Sequence, residues 1–316
     1  MNRFACLGIV GFAAATLSAE AFNMATCDDW QIIGANQDSN RVVIVDGRPC
    51  AAPKYRWEWC PRTDPKISPQ DAAGIVGMDE CKLRDGGRTL LFTSFNYFGA
   101  VDVATRQTKS LFRVGGNPHS IEVLPDGRFA VANASDGYGF MLADNAEPFD
   151  HAKQRTVVAF PASGAHGVEW DAARNCLWGL AYTSLHQFAY DSSTMTLREL
   201  AVYDYTAYGC GDAAGHDLVP DGKGGYFFTN HKAVWHFDPD TKRFTLASSR
   251  RNAKSYSPSA AHGAIYLIPR QSWWSDRIII DEGECGAREI GPFPGAKFYK
   301  ARWVRTLVPL CLPPQT

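Results

Sequence analysis

His119, His166 and His216 each open a stretch of the same design, "HSIEVLPDGRFAVAN", "HGVEWDAARNCLWGLAY" and "HDLVPDGKGGYFFTN". An imidazole leads, a short apolar run follows, then a turn rich in Asp and Gly or Asn, then a second apolar run. Three neutral imidazoles brought together suit zinc or another divalent metal with one position left open for chemistry. Without a metal, a neutral imidazole is a general base. Two further copies carry lysine instead, Lys82 in "KLRDGGRTLLFTS" and Lys254 in "KSYSPSAAHGAIYLI". Arg302 or Lys300 from "KFYKARWVRTL" would join them. These cations oppose a metal unless an anion bridges them. They favour a carboxylate or sulfate on the ligand and hold the imidazoles neutral.

That combination is what β-elimination from a uronic acid needs: a neutralised carboxylate, a base for the proton alpha to it, and an acid for the leaving oxygen. The expected roles are His166 or His216 as base and Tyr182 as acid. Lys82, His119, Lys254 and Arg302 would hold the acidic oligosaccharide or other small anion. Trp273 and Trp274, in the "SWW" loop, would stack on sugar faces at the rim. Glu169 follows His166 by three residues and would point to the opposite face of an extended strand, as a surface residue. A non-catalytic carbohydrate- or protein-binding module is the alternative, and three histidines at one repeat position are equally what a blade-packing signature would look like. His151, His186, His231, His236 and His262 fall outside the register and read as surface or loop residues.

The elements needed to gather these side chains are legible in the repeat. Between the histidine stretches lie further strand–turn–strand segments such as "FGAVDVATRQTKSLFRV" and "AVWHFDPDTKRFTLAS". Each unit therefore carries four strands in roughly 40 to 50 residues, the period of a propeller blade. The fold class is all-β, a six-bladed β-propeller, with seven blades or a two-sheet sandwich as alternatives. "QIIGANQDSNRVVIVDG" reads as a blade lacking its first strand, which "KFYKARWVRTL" would supply, closing the ring. The first strand of each blade lines the channel, so the leading His and Lys residues would meet at its mouth.

The chain has 316 residues, 45% of them hydrophobic, and a formal net charge of −1. No basic run argues for nucleic acid. Arg3, the apolar "FACLGIVGFAAATL" and the small residues of "SAEA" read as a secretory leader cleaved after Ala21. This gives a signal peptide over 1–21, a single propeller domain over 22–316, and a secreted location, extracellular or periplasmic. The mature protein would be a monomer without a membrane span. Eight cysteines then remain, consistent with disulfides such as Cys50–Cys60 and Cys27–Cys311, although eight allow 105 pairings. Cys81 and Cys176 read alternatively as buried free thiols. Asn133-Ala-Ser135 is a glycosylation sequon.

"NPHSIEVLPDG", "GAHGVEWD", "GHDLVP" and "AKSYS" resemble the ordered signatures of a secreted propeller family classed as a domain of unknown function. The resemblance spans nearly the whole mature chain and implies six blades, with no established activity attached. More distantly, the blade-start histidines are similar to those of propeller lyases, namely the peptide-amidating lyase with its three-histidine zinc and oligogalacturonate lyase with its histidine-rich channel. Here the histidines stand in adjacent blades with lysines among them, so those metal motifs do not transfer cleanly.

Overall fold

The computed structural model describes residues 30–48, 54–211, 214–283 and 286–304. The expected leader over 1–21, Cys27, Cys50, Cys285 and Cys311 lie outside them. Six four-stranded antiparallel sheets form a propeller ring. Blade I combines Gln31–Asn36, Arg41–Asp46 and Tyr55–Trp59 with Phe298–Trp303 from the other end of the chain. Blades II to VI begin with the inner strands Met78–Arg84, Pro118–Val123, Gly167–Asp171, Asp217–Pro220 and Ser255–Ser259. These inner strands touch one another in succession around the axis, Phe298–Trp303 completing the circle.

Closure rests on antiparallel pairing of the two chain ends, with Ile32 opposite Trp303 and Gly34 opposite Ala301. Gly34 is needed there: a Cβ would stand 2.9 Å from the Phe298 ring. Pairing the ends leaves blade I with no open inner edge. The hairpin turns follow their sequence signals. In blade III, Gly127 at φ 83 donates its N–H to Leu124 O, a backbone shape that glycine adopts without strain.

Six apolar clusters fill the six gaps between consecutive blades. Both faces of middle strands such as Arg41–Asp46 and Thr89–Ser94 are buried, so successive residues serve different gaps. Phe92 packs toward blade I and Leu91 toward blade III, while Ile33 packs toward blade II and Ile32 toward blade VI. This is why "RVVIVD" and "TLLFTS" are continuous apolar runs rather than alternating ones. Each fully buried large side chain of this kind contributes roughly 1.5–3 kcal/mol.

Two expectations are corrected. Cys60 is a buried free thiol, its suggested partner Cys50 lying outside the described residues; Cys81, Cys176 and Cys210 are also buried and free. Asn133 is fully buried and its Nδ2 donates to Gly115 O, so this sequon has no amide available to a glycan.

Candidate functional site

The chain enters the channel in the same way in five blades. Gly77, Asn117, Gly164, Ala214 and Asn252 all have positive φ, between 57° and 78°. Two residues after each stands the blade's leading side chain: Asp79, His119, His166, His216 and Lys254. Tyr299 takes the equivalent place in blade I. Asp79, His119 and Tyr299 fall where the ladder slips. A bulge there lets two consecutive side chains, such as Asp79 and Glu80, reach the axis. His166, His216 and Lys254 sit just ahead of the first regular pair of their strands.

These side chains form a ring at the channel mouth. The His119 and His166 rings lie 4.3 Å apart between centroids, and His166 and His216 5.5 Å. Tyr299 stands edge-on to His119 at 5.4 Å. The left-handed residues also fix the imidazoles. Asn117 O and Gly164 O each accept from Nδ1 of the histidine two residues on, both at 2.8 Å. That assigns the proton to Nδ1 and leaves Nε2 as the basic nitrogen. In blade V the arrangement differs, because Lys254 Nζ donates to His216 Nε2 at 2.8 Å.

Burial sets the charge states. It pushes His119 and His216 well below the ordinary histidine range, and neighbouring imidazoles and lysines add to the effect. His166 is lowered to about 4, mainly by burial. Burial also lowers Lys254 to about 8. Asp79 moves the other way, pushed well above the carboxylate range by burial. Burial thus favours the neutral form of the three imidazoles and of the Asp79 carboxyl, beside the Tyr299 phenol and the Lys254 amine.

Beneath the ring the channel is packed with ion pairs. Lys300 Nζ lies 3.3 Å from Glu80 Oε2 and 3.2 Å from Asp217 Oδ1. Arg302 Nη2 is 2.8 Å from both carboxylates. Burial opposes the charge of Glu80, but Arg302 and Lys300 more than offset it and hold the group below its usual range. One layer further in, Lys82 Nζ is 2.6 Å from Glu169 Oε1, and Arg84 bridges Glu122 and Glu169. The far end opens on a cavity of about 250 Å³ bounded by Lys82, Arg302, Glu169, Ser257, Val219 and Lys223.

Several expected positions change. Lys82 and Arg302 are not at the mouth; each stands three residues beyond its blade's leading side chain, Asp79 or Tyr299, and is neutralised by carboxylates. The turn used to align blade II follows a longer strand, which slid the register inward. Glu169 is not a surface residue. His166 lies before the regular strand, so alternation does not relate the two, and Glu169 faces Lys82. His231 is an exposed loop residue as expected, and its ring packs tilted against His216 with centroids 4.8 Å apart. His186 and His236 lie within strands and pair with Glu199 and Asp221. Asp79 and Tyr299 were missed, although the glycine two residues before Asp79 repeats the pattern before His166.

Among the rim residues, Tyr182 is 45% exposed and its ring covers Gly164, on the loop that carries His166. Trp273 is 50% exposed and reaches the ring through a relay. Its Nε1 donates to Gln37 Oε1 at 2.8 Å, and Gln37 Nε2 donates to Asp79 Oδ1 at 2.7 Å. Trp274 instead lines a separate cleft of about 560 Å³ with Asp38, Arg270, Asp276 and Lys297, the Lys297 ammonium lying over its ring at 5.3 Å. The expected zinc site does not fit. Among the described residues no group of His, Cys, Asp and Glu is arranged to hold a metal, and Lys254 directs its ammonium at the third imidazole.

Fold and ring define a six-bladed β-propeller with one polar side chain per blade at the mouth of its axis. The chain belongs to DUF6528, a family of unknown function, whose family model matches residues 10–308. No curated protein matches it. Among solved structures it is similar to the β-propeller domain of Myceliophteria thermophila Cps50 (Swd1), with 14% identity, a TM-score of 0.53, and coverage of 85% of this chain and 87% of that one. A chain of a nidogen/laminin complex gives 9% identity, a TM-score of 0.56, and coverage of 86% and 97%. Kuenenia stuttgartiensis hydrazine synthase gives 14%, 0.50, and coverage of 86% and 80%. At these identities the likeness is one of fold.

Proposed function

We propose that this protein is an exported binding propeller whose mouth ring takes a hydroxylated anionic ligand, an acidic oligosaccharide being the class that fits. One observation carries the reading. Lys254 is the single cation of the ring, and among the described residues its ammonium meets an imidazole and no carboxylate. Burial favours the neutral form of the five other ring members, which leaves Lys254 as the ring's partner for a ligand carboxylate. Nε2 of His119 and of His166 accept from sugar hydroxyls. Tyr182 and Trp273 offer aromatic faces at the rim.

The test is calorimetric titration with galacturonate and glucuronate oligosaccharides beside their uncharged counterparts. Acidic glycans should bind and neutral ones should bind at least about tenfold more weakly, with Lys254→Met abolishing the difference. Equal affinity for charged and uncharged sugars, or unchanged selectivity in Lys254→Met, overturns the proposal.

A second reading, β-elimination from a uronate, is favoured by one feature: burial keeps His166 a neutral imidazole whose Nδ1 is tied to Gly164 O, leaving Nε2 as a base. His166 Nε2 would take the proton alpha to the carboxylate as the carbon–carbon double bond forms. Tyr182, which is exposed at the rim, would protonate the departing glycosidic oxygen. The absorbance of an unsaturated uronate end, appearing with wild type and lost with His166→Ala, tests it; binding without that signal leaves the protein a lectin-like module.

A further inference from the structure

The two other lysines of the channel, Lys82 and Lys300, are each clamped by a carboxylate. Lys254 is 7% exposed at the mouth, and the partner of its Nζ is a base, His216 Nε2 at 2.8 Å. The remaining nitrogen of that imidazole, Nδ1, is buried without a hydrogen bond. A carboxylate partner locks a lysine as its ammonium, whereas a neutral imidazole accepts a proton from it and gives it back. We propose that Lys254 is a nucleophilic amine, with His216 as its proton acceptor, which forms an imine with an aldehyde that also bears a carboxylate.

This deepens the acidic-ligand reading and rests on it, since the open-chain form of a uronic acid is such an aldehyde. The step balances without an oxidant or reductant. His216 Nε2 takes a proton from Nζ, and the freed lone pair forms the N–C bond while the carbonyl π pair moves to oxygen. That oxygen is protonated, the second N–H proton leaves through His216, and the hydroxyl departs as water. Burial favours the amine by lowering Lys254 to about 8, close enough to neutral pH for a useful fraction to be unprotonated.

The experiment treats the folded full chain with glyoxylate, an aldehyde carrying a carboxylate, and sodium cyanoborohydride, then maps adducts by peptide mass spectrometry. Lys254 should be labelled about tenfold faster than exposed Lys153, with a rate that rises through a midpoint near pH 8. His216→Gln should slow labelling of Lys254 at least about fivefold and leave Lys153 unchanged. Because rates at two lysines are compared within one wild-type sample, the main result does not depend on a variant folding. Labelling of Lys254 no faster than Lys153, or a rate without the midpoint, overturns the imine. Glycan binding without reductant is scored separately: retained binding with no adduct removes the imine alone, and an adduct without glycan binding removes the acidic-glycan reading.

Discussion

Lys300→Met tests the ion layer directly beneath the ring. Methionine keeps most of the lysine's apolar volume and deletes its charge. Lys300 Nζ stands 3.3 Å from Glu80 Oε2 and 3.2 Å from Asp217 Oδ1, and it also donates to the carbonyls of His119 and His166. At an effective dielectric of about 20, each carboxylate contact is worth roughly 5 kcal/mol before desolvation is subtracted. With Lys300 gone, Arg302 faces two buried carboxylates alone and one negative charge is uncompensated. Breaking a buried pair from one side costs about 3–5 kcal/mol, a large part of the stability of an ordinary domain. Urea unfolding of wild type and variant should show that loss as a lower midpoint with an unchanged slope. Adding Glu80→Gln to Lys300→Met restores charge balance and should recover about 1–3 kcal/mol, a coupling that independent sites would not show. A loss below about 1 kcal/mol, or a double variant as unstable as the two single losses added, refutes the reasoning.

Glu122 sets an acid limit. Burial opposes its charge, but Arg84 outweighs burial and holds it at about 2, below the ordinary 4.5. A carboxyl with a depressed folded pKa contributes stability that is present above pH 4.5 and lost as pH falls toward 2. Glu122→Gln should therefore flatten the denaturation midpoint across that window; a variant as steep as wild type counts against the assignment. Ala214 has φ 78, a region that costs a residue with a Cβ roughly 1–2 kcal/mol. Ala214→Gly should raise stability by about 1 kcal/mol in urea unfolding, net of the glycine's greater unfolded-state entropy, and an unchanged or lower midpoint contradicts the strain.

The blades were legible because strand, turn and strand recur with apolar runs that must be buried on both faces. His119, His166, His216 and Lys254 were legible as leading residues because each precedes its turn at a similar remove. Asp79 and Tyr299 were not, because neither residue type matches its neighbours in the repeat; alignment on the Asp-Gly turn passed over Asp79 to Lys82, and in the closing strand the cations Lys300 and Arg302 drew the reading away from Tyr299. The positive-φ residue two places earlier marks the true register, and Gly77 displays it openly. Ala214 hides it, since nothing in alanine announces a left-handed backbone. The pairing of Lys82 with Glu169 was invisible for another reason: it joins blades II and IV across the axis, where sequence separation carries no signal.

Those cross-axis pairs decide what kind of site the mouth is. The apolar clusters connect only neighbouring blades. Several ion pairs connect blades that no cluster joins: Asp217 of blade V meets Lys300 and Arg302 of blade I, which also hold Glu80 of the neighbouring blade II, while Lys82 and Arg84 of blade II reach Glu169 of blade IV. The packed layer fills the channel below the ring with buried, paired charges. It also holds the ring in place, because Lys300 bonds the backbone of both His119 and His166. Lys300→Met should accordingly weaken acidic-glycan binding even under conditions where the variant is fully folded. The positions of the imidazoles are set by the charges beneath them as much as by the strands that carry them.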